Sequence, residues 1–84
     1  MKKPIVLTIH ARTRLRDRSI DPNWIEATVR APEWIERDPV DSTVERRFRP
    51  IPEFGNRVLR VACVETNSSV RVSALFDRNA RRKP

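Results

Sequence analysis

The sequence has little glycine, cysteine and histidine, and no tyrosine. A single glycine, Gly55, cannot build the glycine-rich loop that cradles nucleotide phosphates. A single cysteine, Cys63, excludes an intramolecular disulfide and gives no reason to expect secretion. One histidine, one cysteine and scattered acids lack the spacing of a metal site. We therefore expect no bound metal and no other cofactor.

Long apolar runs are absent as well. No stretch reaches the roughly 18 apolar residues that a membrane-spanning helix needs, and the apolar residues 5–9 are too few for a signal peptide. We therefore expect a cytoplasmic protein with no membrane partner. The 84 residues suffice for one domain with a thin core, so we predict a single domain over residues 1–84 with a flexible basic tail over residues 78–84.

Positive charge is what the sequence has in excess, with 18 Lys and Arg against 11 Asp and Glu and a net charge of +7. The excess lies at the two ends of the chain, in residues 1–18 and 78–84, while the middle is slightly acidic. If the ends meet in space, their charges form one patch. A small basic domain of this kind favours an anionic partner, with nucleic acid as the first candidate.

A run near the start of the chain carries the only histidine and four arginines. In a helix, residues four apart lie on one face. His10, Arg14 and Arg18 would then form one column, with Ala11 and Leu15 as the apolar strip beside it. The helix would therefore place one proton-transfer group above two fixed cations.

The elements around this run follow from local chemistry. Residues 5–9 are rich in β-branched side chains and predict either a short first strand or an extended lead-in to the first helix. A second helix should begin with Asp21 as its N-cap and Pro22 at its first position. It should end near Ala31, because Pro32 disfavours helical geometry in the residue before it.

The rest of the chain predicts strands separated by turns. The third of these strands has apolar residues on both faces and is expected to be central. The pattern predicts an α+β fold, with two N-terminal helices packed on a curved, mainly antiparallel sheet of about four strands. The four predicted strands cover residues 33–37, 43–51, 57–65 and 70–77.

These motifs resemble a small prokaryotic family of unknown function that is grouped with the RelE-like and BrnT-like toxins. The resemblance implies a RelE-like fold, with RNA as substrate and an antitoxin-like protein as partner. It rests on His10-Ala11, Arg14, Arg18, Ser19-Ile20, Ala31-Pro32-Glu33 and the strand over residues 70–76.

The activity that this resemblance implies is metal-independent endoribonuclease cleavage of RNA. RelE-like ribonucleases cleave RNA through attack of a ribose 2′-hydroxyl on the neighbouring phosphate, which needs cations around the phosphate and groups that move protons. The matching positions are His10, Arg14 and Arg18. This chain departs from the toxin pattern where many relatives have a late tyrosine, because Leu75 or Phe76 occupies that region.

The residues themselves leave two interpretations open for the helix. His10 could act as the catalytic general acid or base with Arg14 beside it, or it could cap the strand-to-helix corner through a hydrogen bond. Arg14 and Arg18 could hold a phosphate through paired hydrogen bonds, or they could lie on a solvated face paired to Asp17 or Asp21.

The strand arginines add further RNA-binding candidates. Arg47, Arg49 and Arg60 are expected to continue the helix column as one basic sheet surface, each contact adding to the salt dependence of binding. The alternative is cross-strand pairing with Glu45 or Asp77. Two functions follow: an endoribonuclease, or a non-catalytic module that binds nucleic acid or an acidic protein such as an antitoxin.

Overall fold

The computed structural model describes residues 3–81, apart from the side chains of His10, Asp17 and Arg18. The predictions for those three side chains, and for the last three residues of the basic tail, lie outside the described residues. The fold is α+β, as predicted, and residues 3–81 contain two helices and five strands. The elements are β1 (Ile5–Leu7), α1 (Ile9–Arg18), α2 (Pro22–Arg30), β2 (Trp34–Arg37), β3 (Glu45–Ile51), a 3-10 turn (Pro52–Phe54), β4 (Arg57–Glu65) and β5 (Val70–Phe76).

The strands form one sheet in the order β1-β5-β4-β3-β2. β4 is the central strand, as its apolar residues predict. The start of the chain is a true strand rather than an extended lead-in, since Ile5 pairs with Val70 and Leu7 with Val72. This pairing is parallel, whereas every other pairing is antiparallel. The sheet is therefore mixed but mainly antiparallel, and the short first strand is its fifth strand beside the four that the pattern predicts.

Each helix begins at a side-chain cap. Thr8 caps α1, because its Oγ1 accepts a hydrogen bond from the backbone N–H of Ala11 (3.1 Å). Asp21 caps α2 in the predicted manner, its Oδ1 accepting from the N–H of Asn23 (2.8 Å), and α2 ends at the predicted Ala31. The N-cap of α1 is thus Thr8. The alternative interpretation of His10 had placed the histidine at this cap.

The core lies between the helices and one face of the sheet. Ile25, Thr28 and Val29 form the buried face of α2, at the i, i+3, i+4 spacing of a core-facing helix. Ile25 and Val29 belong to one cluster with alternate residues of β4 and β5, in which α2 lies over β4 and β3 and α1 lies over β5. Those residues are Leu59, Val61 and Cys63 of β4 and Val70, Val72 and Ala74 of β5.

The other face of the sheet has no helix over it among the described residues. There, the ring of Trp34 stacks on Phe48 with centroids 4.8 Å apart and planes 3° from parallel. Phe48 is only 3% exposed as a result. Neither helix of the described part of the chain is long and apolar enough to cross a membrane.

Cys63 is expected to resist thiol reagents while the protein is folded. Burial raises the pKa of its thiol from the ordinary 9.0 to about 11, so little reactive thiolate forms at neutral pH. The unfolded thiol ionises at a lower pH than the folded one, so the stability of the fold should fall as pH rises from about 9 towards 11. Colour release from DTNB at pH 8, with and without denaturant, measures the protection. Equal rates in both conditions would contradict it.

Candidate nucleic-acid interface

Arg47 and Arg49 lie on the helix-covered face of the sheet. In the β3–β4 register, Arg47 pairs with Val61 and Arg49 with Leu59, and both partners are buried beneath the helices. The Arg47 Nη1 donates to the carbonyl of Val29 (2.9 Å), and the Arg49 Nη1 donates to the carbonyl of Ala31 (2.7 Å). These carbonyls end α2, where cations satisfy free acceptors and oppose the helix dipole. Both arginines therefore stabilise the C-terminal end of α2.

Arg60 lies on the opposite face of the sheet. It pairs in register with Phe48 and Leu75, and its Nη1 donates to the Asp77 carboxylate (3.1 Å). Successive residues of a strand point to opposite faces, so Arg60 does not share a surface with Arg47. The expectation that the strand arginines form one continuous basic surface is wrong.

Replacing Arg47 with methionine is expected to reduce stability. The change removes the bonds to the Val29 carbonyl and to Glu45 (2.7 Å) but keeps the apolar stem, which is largely buried at 17% side-chain exposure. The loss should be about 1–3 kcal/mol in the free energy of unfolding, because one buried carbonyl is left without a donor. Urea denaturation measures it. An unchanged midpoint together with a loss of RNA affinity would instead indicate a binding role.

Arg14 lies beside the buried stripe of α1. Ala11 (1% exposed) and the half-buried Leu15 face the core, as their spacing predicts. Helical geometry places Arg14 on one flank of that stripe, with Arg12 and Arg16 on the other flank. Arg14 is exposed and lines a groove of about 240 Å³ together with residues of the β5 end. We call this the α1 groove; its other lining residues are Ile20, Ala74, Leu75 and Phe76.

A larger cleft of about 460 Å³ lies where β5 ends. We call it the β5-end cleft. Its walls include the rings of Phe54 and Phe76, whose centroids are 4.9 Å apart. The guanidinium of Arg57 lies 4.9 Å from the Phe54 centroid, at cation–π distance, and Arg78 and Arg81 line the same space. Phe76 belongs to both clefts, so the two are neighbours.

The arginines that line the α1 groove and the β5-end cleft are not paired with acids in the described part of the chain. Within the described part of the chain, Arg14, Arg57, Arg78 and Arg81 form no salt bridge with a carboxylate. Four other arginines do pair with acids. They are Arg30 with Glu26, Arg46 with Asp38, Arg47 with Glu45, and Arg60 with Asp77.

A family model described as a domain of unknown function, DUF4258, matches residues 7–76. The chain belongs to the DUF4258 family. No curated protein and no solved structure matches the chain. The family description assigns no activity to the DUF4258 domain. The match includes both helices and Arg57 but ends before Arg78 and Arg81.

The remaining predicted site residues of the DUF4258 domain are His10 and Arg18. The backbone of residue 10 lies in the first turn of α1, one helical turn before Arg14. The side chains of His10 and Arg18 lie outside the described part of the chain. Among the described residues, no three His, Cys, Asp or Glu side chains form a group that could hold a metal ion.

Arg57 is a candidate site residue of the DUF4258 domain that was not predicted from the sequence. A local signal was present, because Arg57 follows Gly55 and Asn56, which both adopt positive φ (65° and 58°) in the turn before β4. That turn places Arg57 beside Phe54. The basic tail of the sequence also indicated Arg78 as a source of positive charge. The position of Arg78 beside the same aromatic rings, however, depends on where β5 ends.

Proposed function

We propose that this DUF4258 domain is a RelE/BrnT-like toxin-type domain that binds single-stranded RNA at the end of β5. One observation supports this most strongly. Arg14, Arg57 and Arg78 are exposed, make no salt bridge among the described residues, and border two clefts that share Phe76. The proposed RelE-like fold is supported by two N-terminal helices on one face of the sheet.

The chemistry of the two clefts suits a flexible polynucleotide strand. Guanidinium groups donate paired hydrogen bonds to phosphate and stay charged at any physiological pH. The half-buried rings of Phe54 and Phe76 offer apolar surface on which an unpaired base can stack. A base inside a duplex cannot reach such a ring, because it is already stacked on its neighbours. Single strands are therefore favoured over duplexes.

A fluorescently labelled 12-nucleotide RNA tests the proposal by anisotropy at several salt concentrations. We expect tighter binding of single-stranded RNA than of duplex RNA, and an affinity that falls steeply with salt. Arg57→Gln should weaken binding by at least about tenfold, since a charge-assisted hydrogen bond to phosphate is worth about 1.5–3 kcal/mol. The matched control is Arg46→Gln, because Arg46 is paired to Asp38 (3.0 Å) and does not line either cleft.

Three outcomes would overturn this function. They are no RNA binding at low salt, an affinity that does not respond to salt, and equal weakening by Arg57→Gln and Arg46→Gln. DNA of the same sequence serves as a comparison, since the charges and rings of the clefts do not read the 2′-hydroxyl by themselves. An acidic antitoxin-like protein is the proposed protein partner of these arginines, and its binding would displace the RNA.

RNA cleavage is a second candidate, favoured by the position of residue 10 one helical turn before Arg14. In this candidate His10 moves a proton while the ribose 2′-hydroxyl attacks the phosphate, and Arg14 stabilises the charge that develops on the phosphate oxygens. The products would be a 2′,3′-cyclic phosphate and a free 5′-hydroxyl. His10→Ala should abolish cleavage and leave binding intact. Equal cleavage by both proteins, or none by either, removes this candidate.

A further inference from the structure

The outer edge of β2 is open to solvent. β2 is the last strand of the sheet, and within residues 3–81 only β3 pairs with it. The helices pack mainly on other strands, α2 on β4 and β3 and α1 on β5. Ile35 in the middle of β2 is 51% exposed, and Glu33 and Arg37 on either side of it are exposed as well. A second chain can therefore approach this edge.

The exposed residues of β2 also carry the outward backbone groups. Asp38 donates its N–H to the carbonyl of Val44 (3.0 Å), so Asp38 points its backbone groups towards β3. Backbone direction alternates along an antiparallel strand, so Glu36 also points towards β3, whereas Ile35 and Arg37 point away from it. No hydrogen bond from a described residue reaches these outward groups. Unpaired N–H and C=O groups along an edge are a template for a further strand.

The sequence of this edge is complementary to itself. If two copies pair antiparallel with Ile35 opposite Ile35, then Glu33 of each copy lies opposite Arg37 of the other. Opposite residues are about 5.5 Å apart between Cα atoms, a distance that glutamate and arginine side chains can span. Within the described part of the chain, neither Glu33 nor Arg37 forms a salt bridge. The Glu33 N–H is already bonded to the carbonyl of Phe48 (2.8 Å), so Glu33 would contribute its carboxylate.

The distribution of charge favours contact between two copies at β2. The chain has a net charge of +7, but residues 33–49 hold five acids and four arginines and are close to neutral. The arginines of the two clefts lie towards β5, which β4 and β3 separate from β2. Two copies that meet at β2 therefore keep their basic surfaces apart, whereas contact at the β5 end would bring like charges together.

We propose that two copies of this chain pair through their β2 edges, which joins their sheets into one ten-stranded sheet. Ile35 of each copy exchanges N–H and C=O hydrogen bonds with Ile35 of the other, and a Glu33–Arg37 ion pair lies on each side. The same surface is used on both copies, so the assembly closes as a two-fold dimer. This inference does not depend on RNA binding, because neither cleft includes a residue of β2.

Sedimentation velocity at several protein concentrations tests the proposal. β2 has only four residues, so we expect a weak dimer that forms between about 10 μM and 1 mM. Arg37→Glu, or Glu33→Arg, should weaken it by at least about tenfold, because each change places like charges opposite each other twice. The double variant Glu33→Arg with Arg37→Glu should restore the dimer, since both ion pairs return in reverse. Arg71→Glu, an equal charge change on β5, is the control and should not weaken the dimer.

An equal mixture of the two single variants separates ion pairing from a structural effect. Arg37 also donates to the carbonyl of Ser42 (2.7 Å), so Arg37→Glu could disturb that loop. In the mixture one copy carries arginine at positions 33 and 37 and the other carries glutamate at both. The two variants should therefore associate with each other one to one, although each remains a monomer alone. A disturbed loop would not produce this rescue.

Amide hydrogen exchange measured by NMR locates the contact. At low concentration the Ile35 amide should exchange rapidly and the Glu36 amide slowly. Raising the concentration should slow exchange at Ile35 in proportion to the fraction of dimer and leave Glu36 unchanged. A parent protein that stays monomeric at 1 mM, a dimer that both single variants leave intact, or a mixture that does not associate would overturn the proposal. So would a dimer in which Ile35 gains no protection, which indicates contact through another surface.

Discussion

Replacing Arg14 and Arg57 together with glutamate is expected to reduce the affinity for single-stranded RNA by about 100-fold, if each arginine contributes one charge-assisted phosphate contact. Both side chains are exposed, and they border the two clefts that share Phe76. Loss of two phosphate contacts should also make the slope of log affinity against log salt shallower by about 1.4. Anisotropy titrations at four or more salt concentrations give both quantities.

The chain offers a matched control on the same helix. Arg12→Glu with Arg16→Glu makes the same change in net charge, but on the flank of α1 away from Arg14. Its effect should stay below about threefold at physiological salt, because neither residue lines either cleft and salt screens exposed charges over about 8 Å. Circular dichroism checks that both variants fold. If both double variants weaken RNA equally, net charge rather than the clefts governs binding.

Leu59→Ala is expected to destabilise the fold by about 2–5 kcal/mol, because it removes buried apolar volume and leaves a cavity. Leu59 is 0% exposed. It belongs to β4, the central strand, on the face of the sheet that the helices cover. A domain of this size has a total stability of about 4–12 kcal/mol. The variant should therefore unfold at a much lower urea concentration and be partly unfolded at 37 °C.

Val40→Ala serves as the control for this prediction. Val40 is 94% exposed between β2 and β3, so removing its methyl groups should change stability by less than about 0.5 kcal/mol. Urea denaturation of both variants against the parent protein gives the comparison. Equal midpoints for Leu59→Ala and the parent would show that the core does not depend on β4.

Most of the element boundaries could be predicted from local sequence. The Asp21-Pro22 pair begins α2, and the region before Pro32 ends it, because capping and proline geometry act within a few residues. β4 covers residues 57–65 as predicted, since the alternation of apolar residues and the flanking turns mark it. The first strand was ambiguous because its three residues form a strand only through pairing with β5, which lies more than 60 residues away.

The candidate site was harder to predict. Arg47 and Arg49 alternate along a strand of a basic chain, a pattern that favours a phosphate-binding surface. In the structure, however, their guanidinium groups donate hydrogen bonds to the carbonyls that end α2. This depends on which face of β3 the helices cover. Both faces of β3 carry arginine, so alternation alone does not distinguish them. Arg57 could have been favoured by its turn, which also carries Phe54, but the second ring of the cleft, that of Phe76, comes from the end of β5.

The sequence by itself determined where the helices and most strands lie and that the domain carries excess positive charge, because caps, turns and side-chain alternation act over a few residues. Only the tertiary structure decided which of these charged side chains bond to acceptors within the protein and which remain available to bind a partner. Arg47 and Arg60 meet acceptors from distant segments, whereas Arg14 and Arg57 meet no described carboxylate. The physical reason is that a guanidinium is neutralised by whichever acceptors the fold brings within a few ångströms, irrespective of separation along the chain.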